Sequence, residues 1–189
     1  MAFSRWLSKL RGEPEGDTTD HSFSLVLLLR IPRHLTEEAI QDAAETAFID
    51  TLEHKGPDSI LALQSDHITV IRAGEEMMQV VQFDTAYFQD RYTTAALSDD
   101  PRVRDAILEH TAWISVDYLT GTRKKTERNR VAIYRLLAAL AAALCGIDTL
   151  AVYFVHEEKV VPCDDELIQR LEYFDSLSDL LRWHANVLH

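Results

Sequence analysis

"SFSLVLLLR", residues 22–30, decides how the rest of the chain must be arranged. A strand with one wet side alternates apolar and polar residues. Here Leu25, Val26, Leu27, Leu28 and Leu29 follow one another without a break, so both sides of the strand must be covered. The run therefore reads as a central strand, and everything else is expected to pack around it. Pro32 ends it. Thr36 then suits the N-cap of a helix, with Glu37 and Glu38 favourable in its first turn. Leu35 and Ile40 have the spacing of a hydrophobic staple, and Ile40, Ala43, Ala44, Ala47 and Phe48 form the stripe that helix would bury.

Downstream, "KGPD" (55–58) reads as a turn, and "ILALQ", "HITVIRA" and "EMMQVVQF" read as strands, the last two joined around Gly74. Phe83, Tyr87, Phe88 and Tyr92 cluster without clean alternation, as expected of a small apolar satellite pinning a long connection. Asp100 followed by Pro101 marks the start of a short helix running to about residue 109. "TAWISVDYL" (111–119) alternates, with Ala112, Ile114, Val116 and Tyr118 on one side and Ser115 and Asp117 on the other. It is expected to be half exposed. A long helix over about 126–145 carries Ile133, Leu137, Leu140 and Leu144 among many alanines, and Gly146 suits its C′ position. "TLAVYFV" (149–155) is a second buried strand, "HEEKVV" a turn with a short return strand. Asp164 and Ser176 suit the caps of two C-terminal helices.

Strand–helix–strand thus occurs twice, over 22–30, 36–49 and 60–73 and again over 111–119, 126–145 and 149–155. Two such units with an extra antiparallel hairpin and C-terminal helices imply an α+β fold. Its expected form is a ferredoxin-like sandwich of split βαβ units, with helices on one side of the sheet. This domain would span residues 22–189. Ahead of it, Phe3, Trp6, Leu7 and Leu10 line one side of a short amphipathic helix (1–11), with Arg5, Lys9 and Arg11 elsewhere on its surface. "GEPEGDTTD" makes 12–21 a linker. Two turns of helix are unstable alone in water. The segment is expected to dock on its own domain, on a partner or on a membrane surface, or else to stay disordered.

Charge narrows the functional classes. The chain carries −12, but residues 1–12 carry +3 and residues 120–130, "TGTRKKTERNR", carry +4, leaving −19 for the remainder. Such a body repels nucleic acid, which is bound through clustered Lys and Arg. No GxSxG elbow, Walker A loop, GxGxxG turn or HExxH pair occurs. The acidic run from Glu157 to Asp179 lacks the fixed spacing and Gly turn of a calcium loop. Cys145 and Cys163 are the only cysteines. Their spacing supports neither a zinc site nor a disulfide scaffold, although two sulfurs can pair. His110 and Asp117 read as rim or surface residues. "VAIYRLLAALAAALCGI" (131–147) is too short and too charged for a membrane span. With no secretory signal in the sequence, the expected location is the cytoplasm. No cofactor or metal is expected.

The order of segments resembles an uncharacterised bacterial family known only as a domain of unknown function. The resemblance rests on His110 and Ala112 in one strand, the alanine-rich helix, and Ala151, Val152 and Tyr153 in another, within residues 22–165. It implies a bacterial intracellular α+β domain and transfers no site.

Two candidate contact regions follow. Arg123, Lys124, Lys125, Arg128 and Arg130 lie where a strand leads into a helix, at the end that favours an anion. The same dipole disfavours cations there, and an external acid would relieve that conflict. The simpler reading, and the favoured one, is a solvated loop whose bases pair with the domain's own acids, each pair worth little. Phe3, Trp6, Leu7 and Leu10 form the second region, for a partner or a membrane. The favoured function is a non-enzymatic binding or regulatory domain acting on a protein partner or a second copy. The alternative is an enzyme or sensor holding a small anionic ligand at 123–130.

Overall fold

The computed structural model describes residues 23–48, 60–119, 127–176, 178 and 180, with backbone alone at 127–129. Strand β1 (Ser24–Leu29) lies inside a seven-stranded sheet of order β2-β3-β4-β5-β1-β6-β7. The others are β2 (Ile60–Ser65), β3 (Ile68–Ala73), β4 (Glu76–Phe83), β5 (Ala112–Leu119), β6 (Thr149–Phe154) and β7 (Lys159–Pro162). Every neighbouring pair is antiparallel. The helices are α1 (Glu37–Phe48), α2 (Arg91–Ala96), α3 (Pro101–Glu109), α4 (Glu127–Leu144) and α5 (Asp165–Glu172).

The topology follows from where the crossovers land. From β1 the chain passes through α1 and a hairpin to β4, and β5 fills the gap between β1 and β4. From β5 it passes through α4 to β6, and β1 fills the gap between β5 and β6. These are two interlocked split βαβ units, the α+β arrangement expected from the sequence. The β2–β3 hairpin extends one edge, and β7 extends the other. Gly74, at φ 63°, turns β3 into β4 in two residues, a conformation open to glycine at little steric cost.

All six residues of β1 are buried. Leu25, Leu27 and Leu29 share the first face of the sheet with Ile114, Val116, Val152 and Phe154, beneath α1 and α4. On α1, Ile40, Ala44 and Phe48 are buried at a spacing of four. On α4, Ala138, Ala141 and Ala142 are buried beside Leu137 and Leu140, small side chains that let helix and sheet approach closely. Thr36 caps α1, its hydroxyl accepting from the Ala39 amide at 3.2 Å. Asp100 caps α3 and Asp164 caps α5. Gly146 is needed for a different reason from the one its position after α4 suggests. It has no left-handed backbone. A Cβ there would strike the Arg33 guanidinium, which is held by the Leu144 carbonyl and by Asp148.

The second face corrects two expectations. Helices do not lie on one side only: Val26, Leu28, Trp113 and Ala151 are covered by Tyr87 and Ala106 from the 84–110 segment. Likewise β5 is not half exposed, because it lies between β1 and β4 and only Asp117 and Leu119 escape full burial. The aromatic cluster does pin the long connection. Tyr87 meets Trp113 edge-on at 5.3 Å and Phe88 meets Tyr153 at 5.3 Å. Among the described residues no helix is long and apolar enough to cross a membrane.

Truncating a residue covered on this scale leaves a cavity. Leu27→Ala should lower the unfolding free energy by about 2–5 kcal/mol, whereas Leu63→Ala, at a site 60% exposed, should cost under about 1 kcal/mol. Urea titration of both variants checks the contrast, and equal losses would contradict the covered first face of β1.

Candidate functional site

Most of the basic run, Arg123, Lys124 and Lys125, lies outside the described residues. So do the side chain of Arg128 and the whole of Phe3, Trp6, Leu7 and Leu10. Arg130 is described, and it faces inward. Its guanidinium pairs with Glu157, at the β6–β7 turn, and lies 6.0 Å from the Tyr134 ring centre. Tyr134 is fully buried, and burial, reinforced by Glu157, pushes its phenol well above the ordinary value. Arg130 therefore serves the domain's own acid rather than presenting an open cation.

The surface that stands out is the uncovered half of the second face. Successive pairing registers place Leu63, Val70, Gln79, Asp117 and Ser24 in one row across β2, β3, β4, β5 and β1. The row runs from an apolar edge to a polar centre. Around it Leu61, Leu63, Ile68 and Met77 are 42–60% exposed. These four large apolar side chains share the face with exposed Arg72, which lies between Leu61 and Met77, and a mixed apolar and charged margin of this kind suits a contact. The exposure has a simple origin: α3 packs at the β6–β7 end of this face, and the β2–β3 hairpin carries the sheet away from it.

At the inner border of the patch, Asp117 is half-buried. It accepts from the Ser24 hydroxyl at 2.5 Å, the Gln79 amide at 2.9 Å and the Ser115 hydroxyl at 3.0 Å. Three donors fix the carboxylate beside apolar surroundings and make it a placed negative charge. Its field, added to burial and to Tyr153, helps to raise the Tyr87 phenol. Asp117 is thus the organised centre of a polar cluster, where the sequence suggested an ordinary rim residue.

A shallow groove of about 690 Å³ lies between the β1–α1 connection and the β2–β3 turn, with His34, Glu37, Asp66 and His67 on its walls. Its floor is occupied with structural tasks. The buried Gln82 amide accepts from the Leu35 N–H at 2.8 Å and donates to the Leu35 carbonyl at 2.9 Å. Gln64 donates to that same carbonyl, and His34 pairs with Asp84. Among the described residues no cluster could hold a metal ion.

His110 is the other residue that sequence reasoning misplaced. It is fully buried. Its Nδ1 lies 2.7 Å from the Ile107 carbonyl and its Nε2 accepts from the Tyr87 amide at 3.0 Å. Those partners require a neutral ring protonated at Nδ1. The ring locks the end of α3 to the aromatic cover of the second face, and no motif in the sequence could announce that role.

Comparison with family models, curated proteins and solved structures gave no match. The resemblance drawn on His110, Ala112, Ala151, Val152 and Tyr153 therefore stands without support from them, and the site must be read from its own chemistry.

Burial lowers the His110 pKa below its ordinary 6.5. Between the folded value and 6.5 the unfolded chain binds the extra proton, so this contribution is full above 6.5 and is lost as pH falls below it. His110→Ala should cost about 2–4 kcal/mol at neutral pH and should flatten the acid limb. Unfolding curves across that limb check this. An unchanged slope in the variant would remove His110 as its source.

Proposed function

We propose that this chain is a non-enzymatic binding or regulatory domain acting through protein–protein contacts, with the open half of the second face as its contact surface. The observation that carries the reading is the margin around the row from Leu63 to Asp117: Leu61, Leu63, Ile68 and Met77 are exposed on one face, with Arg72 between Leu61 and Met77 and the Asp117 carboxylate at the inner border. Such a surface fits an amphipathic segment whose apolar stripe is flanked by a base toward Asp117 and an acid toward Arg72. The stripe would cover Leu61, Leu63, Ile68 and Met77, and a base would meet Asp117. The body charge favours the same choice, since a molecule at −19 outside its two basic islands draws basic partners and repels acidic ones. Burying the four side chains would supply most of the affinity, and the charges would set partner choice and encounter rate. Residues 1–11 carry an apolar stripe and bases in cis, which makes them a competitor for the face.

A photo-crosslinking residue at position 63, with a second placed at the exposed position 172 as control, tests this in extracts of the source cells. One discrete protein captured at 63 and absent at 172 is the expected outcome, and it should vanish when Met77→Asp is added. Identical captures at the two positions, or none at 63, would defeat the proposal. A crosslink confined to residues 1–11 would also count against a partner role, since the chain would then seal its own face.

A further inference from the structure

Cys145 and Cys163 are eighteen positions apart in sequence, yet their sulfurs lie 3.9 Å apart. Two independent features of the fold bring them together. Helix α4 stops at Leu144, and the Cys145 amide bonds back to the Ala141 and Ala142 carbonyls, keeping Cys145 on the last turn. Arg33 fixes that turn by donating to the Leu144 carbonyl at 2.5 Å while pairing with Asp148 at 3.2 Å. From the other side, the β6–β7 hairpin pairs Ala151 with Pro162. The Cys163 amide then bonds to the Leu150 carbonyl at 2.9 Å, and Asp164 caps α5 immediately afterwards. Both side chains pack on the main core while remaining half-buried.

We infer that Cys145 and Cys163 form a reversible dithiol–disulfide site whose co-reactant is a low-molecular-weight disulfide of the glutathione type. Closing the bond requires the sulfurs to move from 3.9 Å to about 2 Å. The Cys163 thiolate attacks one sulfur of the small disulfide, forming a mixed disulfide and releasing one small thiol. Cys145 gives up its proton and attacks the Cys163 sulfur, forming the protein disulfide and releasing the second small thiol. Two protein thiols are oxidised and one small disulfide is reduced to two thiols. The order follows from the hydrogen bond between the sulfurs, which favours the thiolate on Cys163 and opposes it on Cys145. The new bond would staple the end of α4 to the junction of β7 and α5. It would close a short loop of the unfolded chain and raise the stability of the oxidised form.

The test uses the full chain, reduced and then equilibrated in glutathione buffers from fully reduced to fully oxidised. Intact mass and titration of denatured thiols are the readouts. The expected product is a monomer about 2 Da lighter with no titratable thiol, melting several degrees higher and reverting with dithiothreitol. Cys145→Ser should stop at a stable glutathione adduct on position 163. Wild-type chain that keeps both thiols in every buffer would overturn the inference. Wild-type chain that stops at the adduct, or that links only between molecules, would do the same.

Discussion

Everything in this fold depends on β1 being covered on both sides. Leu25, Leu27 and Leu29 face α1 and α4, while Val26 and Leu28 face the segment that carries α2 and α3. A strand with no wet side must be flanked by strands and sandwiched by layers. The two crossovers then have to place β5 on one side of β1 and β6 on the other. Each fully buried Leu or Val is worth roughly 1.5–3 kcal/mol of transfer free energy, so no arrangement that exposes either side of β1 competes.

The same requirement produces the exposed margin on the second face. The 84–110 segment is long enough to cover the second face over β1, β6 and the start of β5, and His110 locks it there. It does not reach the β2–β3 hairpin. The sheet therefore ends in a half-covered margin where the side chains that would be core elsewhere meet water. Asp117 lies at the boundary between the two regimes, with its charge fixed by Ser24, Gln79 and Ser115. The exposed apolar side chains arise here where the core runs out of cover.

Local signals were legible in the sequence because they are local in physics. The unbroken run in β1, the caps at Thr36, Asp100 and Asp164, and the alanine face of α4 depend on periodicity and on hydrogen bonds a few residues apart. Long-range facts were not. "ILALQ" reads as a strand whether or not its second side is covered, so the exposure of Leu61 and Leu63 could not be read from it. "TAWISVDYL" alternates convincingly, yet the neighbours of β5 bury nearly all of it. His110 looked like a lone surface histidine because its partners, Tyr87 and Ile107, are joined to it by folding. Cys145 and Cys163 meet for the same reason. The composition of the basic run fits either an anion site or bases paired with the domain's own acids. Arg130, its described member, is taken up by Glu157 across the turn between β6 and β7.

Met77 and Met78 give the most direct test, because adjacent residues of one strand report on opposite faces. Met77 is 42% exposed on the open margin and Met78 is fully buried in the core of the first face. Limited peroxide oxidation, read by peptide mass spectrometry, should modify Met77 and spare Met78 in the purified chain. If the proposed partner covers the margin in the cell, Met77 is protected there at least several-fold while Met78 stays unchanged. Equal oxidation of Met77 in the two settings would contradict a contact surface on this face, and early oxidation of Met78 would contradict the double-sided sheet itself.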